Sequence, residues 1–209
     1  LVIGSALKTG GRFQYEYKVL DILNKYHKDQ DIKFNFYGLR ENIKKDYIDL
    51  NLDIKIINEN IFQKIHRYSL SNFFFLKLFY KIKVGFSSIE KQLTKDEIDL
   101  VYFLGPNLVS HGLNNIPYIF TLLDFGHFDI LEFPEISNDA QFDTREFTNS
   151  KGLKKSYKVI VDSEWGRQNI IKKYNVDEKR IEVLKFLPNI KENKTEISVN
   201  IKEKYKLKN

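Results

Sequence analysis

The stretch IFTLLDFGHFDILEFPE (119–135) starts as an apolar run and then sets Asp124 and His127 three residues apart. A carboxylate can accept a hydroxyl's proton or hydrogen bond, and an imidazole can orient a hydroxyl near neutral pH. The pair therefore suits acid–base or positioning chemistry on a polar substrate. The bland counterpart is an Asp that caps the following turn and a His that faces solvent. A second stretch, LKTGGRF (7–13), puts Gly10 and Gly11 where the chain turns into a helix. Free backbone N–H groups and the helix dipole there suit an anion. The stretch is neither G-x-G-x-x-G nor a Walker loop, and a plain tight turn explains its two glycines equally well.

These residues need elements to position them. Apolar strand runs alternate with amphipathic helical patterns along the chain. LVIGSA (1–6), IKFNFYG (32–38), DIKII (53–57), IDLVYFLG (98–105), PYIFTLL (117–123), YKVIVDS (157–163) and RIEVLKF (180–186) read as strands. GGRFQYEYKVLDILNKYH (10–27), with Phe13, Tyr17, Leu20 and Leu23 on one face, reads as a helix. ENIKKDYIDL (41–50) and EWGRQNIIKKY (164–174) are two more. Strands alternating with helices call for a parallel sheet covered on both faces, so the expected fold is an α/β, Rossmann-like, doubly wound parallel sheet. Such sheets bind ligands at the carboxyl ends of their strands, near the point where strand order reverses. The loops after Ala6, Leu104, Leu123 and Asp162 are therefore the ones in which to seek a site.

Composition narrows the classes. The 209 residues are 42% hydrophobic, enough for a core of one large domain. No apolar run reaches the about eighteen residues a membrane span needs, and no signal peptide is visible. The absence of cysteine excludes disulfides and thiolate metal sites and agrees with a cytoplasmic home. The absence of methionine, even at position 1, leads us to expect residues before Leu1. The net charge of +6 invites a nucleic-acid partner, yet only six of the 34 basic residues are Arg. Arg is the residue suited to bidentate phosphate and base contacts, so no nucleic-acid partner is expected. No metal and no cofactor are expected either.

The segment VIVDSEWGRQNIIKKYNVDEKRIEVL (159–184) has a strand ending at Asp162, Ser163 placed to cap a helix, Trp165, Ile170, Ile171 and Tyr174 expected to pack inward, and a stop at Asn175. With the Pro-Asn that follows, it resembles the end of the N-terminal domain of family-four GT-B glycosyltransferases. TLLDFGHFDILEFPE is similar to that family's Asp- and His-bearing loop, TGG after the first strand resembles its glycine loop, and Arg145 falls where an Arg often precedes the next strand. The resemblance runs in order through 1–209, with its specific motifs in 117–190. One departure stands out: the family's first His, just before the Asp, is Leu123 here.

The resemblance implies retaining transfer of a sugar from a nucleotide-sugar donor to a saccharide or lipid-linked acceptor in surface polysaccharide assembly. It assigns catalytic positions to Asp124 and His127, and substrate binding to Gly10, Gly11, Arg12, Arg145, Ser163 and Glu164. It further implies that 1–190 is the acceptor-side domain and 191–209 a linker toward a nucleotide-sugar-binding domain. The isolated domain would then be inactive. The counter-hypothesis from the residues alone is a Rossmann-like binding or interaction module without catalysis.

One more pattern bears on partners. Between Ser69 and Leu93, residues Phe75, Phe79, Ile82, Phe86, Ile89 and Leu93 form one helical stripe, with further aromatics interleaved with Lys77, Lys81 and Lys83. Core packing explains the stripe. A basic-aromatic surface in peripheral contact with the inner face of the plasma membrane is the sharper alternative.

Overall fold

The computed structural model describes residues 2–3, 10–26, 32–39, 42–70, 87–129, 132 and 141–185. The expected tail at 191–209 and most of the 69–93 stripe lie outside the described residues.

Among the described residues, seven parallel strands form one sheet. In chain order they are β1 (Val2–Ile3), β2 (Phe36–Gly38), β3 (Ile54–Ile56), β4 (Val101–Phe103), β5 (Tyr118–Thr121), β6 (Lys158–Val161) and β7 (Ile181–Val183). Their spatial order is β3-β2-β1-β4-β5-β6-β7, and every neighbouring pair is parallel. The chain thus winds outward from β1 to β3 and returns to wind the other way from β4. That is the doubly wound arrangement, with its switch point between β1 and β4. The α-helices among the described residues are α1 (Gly10–Tyr26), α2 (Ile43–Asp46), α3 (Ile61–Leu70), α4 (Ser88–Lys95), α5 (Gly126–Asp129), α6 (Gln141–Lys155) and α7 (Glu164–Tyr174).

Burial follows the strand period of two. Val101 and Phe103 of β4 join a core with Tyr118, Phe120, Val159, Val161 and Ile170. Tyr102 and Leu104, pointing the other way, pack with Leu20, Phe36, Tyr47 and Ile54. Two cores divided by residue parity lie on opposite faces of the sheet, which is what cover on both sides requires. The stripe Phe13, Tyr17, Leu20 and Leu23 of α1 belongs to the second core, as its spacing demands.

Two corrections emerge. Trp165 does not pack inward: it is 57% exposed and meets the buried Phe125 ring edge-to-face at 5.6 Å. At the first turn of α7 a side chain can lean over the sheet's carboxyl end instead of onto its face. The 69–93 stripe is also not one helix. Ser87 is extended (φ −66°, ψ 156°) and its side chain accepts the Glu90 N–H, so α4 starts afresh at Ser88. Within α4, Ile89 and Leu93 do pack in the core.

Buried polar groups fasten the connections between the strands. The Glu90 carboxylate accepts from the N–H groups of Asn114, Asn115 and Ile116 at 2.7, 2.6 and 3.2 Å, pinning the approach to β5. Helix α6 sits hard against β5, because Gly152 carries no Cβ. A Cβ there would lie 2.6 Å from the Phe120 ring. The imidazole of His111 meets the Thr148 carbonyl at 3.1 Å and ties the same helix to the turn after β4. Among the described residues, no helix is long and apolar enough to cross a membrane.

Candidate functional site

A cavity of about 360 Å³ opens at the carboxyl end of the sheet. It is lined by Arg12 of α1, Gly105 and Pro106 after β4, Leu122 to Asp124 after β5, His127 of α5, and Thr144, Arg145, Thr148 and Asn149 of α6. The volume is that of a small-molecule site, and the position is the one expected beside a switch point.

Each wall has a local cause. Strand β5 ends at Thr121, and the chain leaves it through Leu123 to Asp124, whose Oδ1 accepts the Gly126 N–H at 3.1 Å and starts the α5 turn. The same oxygen takes Arg145 Nη1 at 3.2 Å, with the two side chains 71% and 36% exposed. Asp124 thus caps a turn as an ordinary loop Asp does, yet its carboxylate stands in the cavity and is shared with an arginine. On α6, Thr144, Arg145, Thr148 and Asn149 follow helical spacing and present one polar face.

Arg12 reaches the cavity from the first turn of α1. Its Nε donates to Glu16 Oε1 at 2.9 Å, and Tyr47 donates its hydroxyl to Glu16 Oε2 at 2.9 Å. Glu16 is fully buried. Burial, and then the Glu16 charge, push the Tyr47 phenol well above its usual range, so it stays a donor. The guanidinium rests on Gly105, where a Cβ would lie 2.7 Å from both Nε and Nη2. Glycine at 105 is what lets the cation reach across from α1 to β4.

His127 is fully buried and does not face solvent. Its Nε2 lies 3.3 Å from the Tyr174 hydroxyl and 3.5 Å from Glu146 Oε2. Tyr174 in turn donates to Glu146 Oε2 at 3.1 Å. The rings of Phe128 and Phe142 stand 4.3 and 5.7 Å from the imidazole. Burial holds the imidazole below its ordinary value, against the opposing pull of the Glu146 carboxylate. Burial also raises the Tyr174 phenol, and the Glu146 charge adds to this.

Of the residues that sequence marks, the structure gathers Arg12, Asp124, His127 and Arg145 around one cavity. Gly10 and Gly11 stand exposed at the start of α1, with Gly10 at φ +86°, a conformation suited to glycine, and neither lines the cavity. Ser163 accepts the Gly166 N–H at 3.2 Å as the cap of α7. Glu164 is exposed and engages Arg167 and Gln168, each at 3.3 Å. Neither Ser163 nor Glu164 lines the cavity. Leu123, in the place of the resembled family's His, does.

Sequence reading missed Thr144, Thr148 and Asn149, and the supporting Glu146 and Tyr174. The available signal was DTREFTN (143–149), a helical segment whose polar residues recur at i, i+4 and i+5. Among the described residues, no three His, Asp or Glu side chains are gathered as metal ligands would be.

No family model matches the sequence, and no curated protein matches it. Among solved structures, a glycosyltransferase from Rickettsia africae ESF-5 is similar at 15% identity and a TM-score of 0.46. The similarity covers 88% of this chain and 41% of that one, so this chain spans about two-fifths of that protein's length.

Proposed function

We propose that this chain is the acceptor-side domain of a family-four-like GT-B glycosyltransferase that transfers a sugar with retention from a nucleotide-sugar donor to a saccharide or lipid-linked acceptor in surface polysaccharide assembly. One observation carries the reading. Arg12, Asp124, His127 and Arg145, which a sequence resemblance marks, converge on one cavity beside the switch point of a doubly wound sheet.

The chemistry suits these groups. As the bond from the anomeric carbon to the departing diphosphate breaks, positive charge builds on the sugar ring and negative charge on the phosphate. The acceptor oxygen bonds the anomeric carbon, and its proton passes to the leaving phosphate, so no strong protein base is needed. Asp124 and His127 position the acceptor or a sugar hydroxyl, and Arg12 and Arg145 balance developing negative charge. Gly10 and Gly11 at the start of α1 face the diphosphate, and Ser163 and Glu164 form the outer rim. The donor itself is held mainly by a second, nucleotide-sugar-binding domain, for which 191–209 is the linker. Leu123 supplies an apolar wall where the family has a His, and His127 takes over the polar role.

Peripheral contact with the inner face of the plasma membrane through 69–93 belongs to the same reading. Exposed Ile61, Phe62 and Ile65 on the preceding helix support it. The absence of liposome binding at low salt removes it.

The decisive experiment joins this chain to a nucleotide-sugar-binding domain, offers a panel of nucleotide sugars and saccharide acceptors, and reads product anomers by NMR. Retention is expected, together with loss of turnover in Asp124→Ala and His127→Ala and no transfer by the chain alone. Inverted product, or full turnover in both variants, sinks the assignment. Saccharide binding without any transfer restores the binding-module reading.

A further inference from the structure

Two buried, hydrogen-bond-capable atoms of residues that line the cavity lack a partner among the described residues. They are His127 Nδ1 and Asn149 Oδ1. Both residues line the cavity, and their exposures are 0% and 3%. An orphaned buried polar atom is costly, so two of them in residues beside one cavity mark a place where a ligand completes the bonding.

The hydrogen-bond logic behind the wall fixes what that ligand must bring. Tyr174 has one proton and donates it to Glu146 Oε2. A carboxylate oxygen can only accept, and a phenol that has spent its proton can only accept. Both neighbours of His127 Nε2 are therefore acceptors, and Nε2 must carry the imidazole proton. In the neutral ring, Nδ1 is then a bare lone pair. The Asn149 side chain acts on the Tyr174 phenol in the direction a donor to its oxygen would, lowering its pKa against the pull of burial. An amide nitrogen turned toward the Tyr174 oxygen, whose own proton is spent, leaves the amide oxygen over, and that oxygen is the buried atom without a partner among the described residues. Neither Glu146 nor Tyr174 lines the cavity, so both act on the ligand only through the residues that do.

We propose that Glu146 and Tyr174 are positioning residues that hold His127 as its Nε2–H tautomer and orient Asn149, so that the cavity wall offers two acceptors to hydroxyl groups of a bound saccharide. An anion is the wrong occupant for this wall, because two lone pairs repel it. The wall selects a donor of two protons, such as a diol, while Arg12 and Arg145 line the same cavity and are left to an anionic group. The identity of the ligand rests on the glycosyltransferase reading, but the tautomer does not.

The test uses the whole chain labelled with 15N at its four histidines and long-range proton–nitrogen spectra at neutral pH. His127 is assigned by the signal lost in His127→Asn. The Nε2–H form is expected to predominate, and Glu146→Gln and Tyr174→Phe are each expected to turn it into a mixture of tautomers. Circular dichroism establishes that each variant is folded, and two variants with different chemistry guard against the failure of one. Added methyl glucoside or methyl mannoside should move the Nδ1 resonance of the unaltered chain, with binding weakened roughly tenfold in either variant, the loss of about one buried hydrogen bond. An Nδ1–H tautomer in the unaltered chain, or variants that leave the tautomer untouched, overturns the positioning role. An Nε2–H ring whose Nδ1 ignores both glycosides overturns the saccharide assignment alone.

Discussion

Two arginines stand on the same cavity and are held in opposite ways. Arg12 is fixed from behind: a fully buried Glu16, itself bonded by the buried Tyr47, takes its Nε, and Gly105 leaves room for the guanidinium. Arg145 is held only from the front by Asp124, a carboxylate 71% exposed. A charge pair in water contributes little, whereas a carboxylate buried with one partner cannot be left alone. The difference teaches which part of the site is scaffold. The α1 side is built before any ligand arrives, and the Asp124–Arg145 pair is free to re-pair with one.

Removing Glu16 should therefore have the largest effect. Glu16→Ala strands the Tyr47 hydroxyl in the second core and releases Arg12. Arg12 is 38% exposed and can regain water, which lowers the cost below that of a fully buried pair. A loss of about 2–3 kcal/mol is expected, read as the shift in urea midpoint. A loss no greater than that of Asp124→Ala would erase the distinction between the two arginines.

Next comes Gly105→Ala. The new methyl would stand 2.7 Å from the guanidinium, which is the far end of a flexible side chain and can yield while the backbone stays. About 1 kcal/mol of stability is expected to go, at the low end of overpacking costs. The crystal structure of the variant should show Arg12 turned away from the cavity. An Arg12 that stays in place while the β4 loop moves would show that the loop is the softer partner.

These contrasts also say what was legible in the sequence. The sheet was, because fully buried parallel strands must be apolar runs such as VYF and YIFT, and their alternation with helices leaves little choice of topology. The α7 cap at Ser163 and stop at Asn175 were legible because local chemistry alone decides them. Helix α6 was not. QFDTREFTNSKGLKK has few apolar residues: Leu153 reaches the core and the bare Gly152 docks on Phe120, while Thr144, Arg145, Thr148 and Asn149 turn to a cavity. A helix that builds a site hides its periodicity, because the residues it turns inward are polar. Trp165 misled for the converse reason: its bulk argued for a core position, and only its place at the sheet's end left it exposed. Asp124 and His127 were legible as a pair, but the burial of His127 was not, since its partners Glu146 and Tyr174 lie 19 and 47 residues away in sequence.

His127 adds a third, pH-dependent term. Burial keeps its folded value below the ordinary one near 6.5, with Glu146, Asp124 and Arg145 the charged groups acting on it. The unfolded chain then binds a proton more readily than the folded one. Stability is full above about pH 6.5 and falls as the pH drops through the folded value. The slope of unfolding free energy against pH should flatten in this window in His127→Gln. An unchanged slope would assign the acid sensitivity to other groups.

The smallest effect on stability is expected at the other arginine. Asp124→Ala removes an exposed pair at 3.2 Å and one acceptor for the Gly126 N–H, which water can replace. The expected loss is about 0.5 kcal/mol, the ordinary worth of a surface pair, and it should shrink further in high salt. This weakness is what a recruiting residue needs. A carboxylate bound tightly to Arg145 would compete with the ligand, whereas one held loosely can turn to an incoming hydroxyl and leave the guanidinium to an anion. On the proposed function, the comparison predicts a separation of effects: Asp124→Ala should impair saccharide binding far more than folding, and Glu16→Ala the reverse. A urea midpoint for Asp124→Ala displaced by as much as that of Glu16→Ala would place Asp124 in the scaffold and remove its freedom to re-pair.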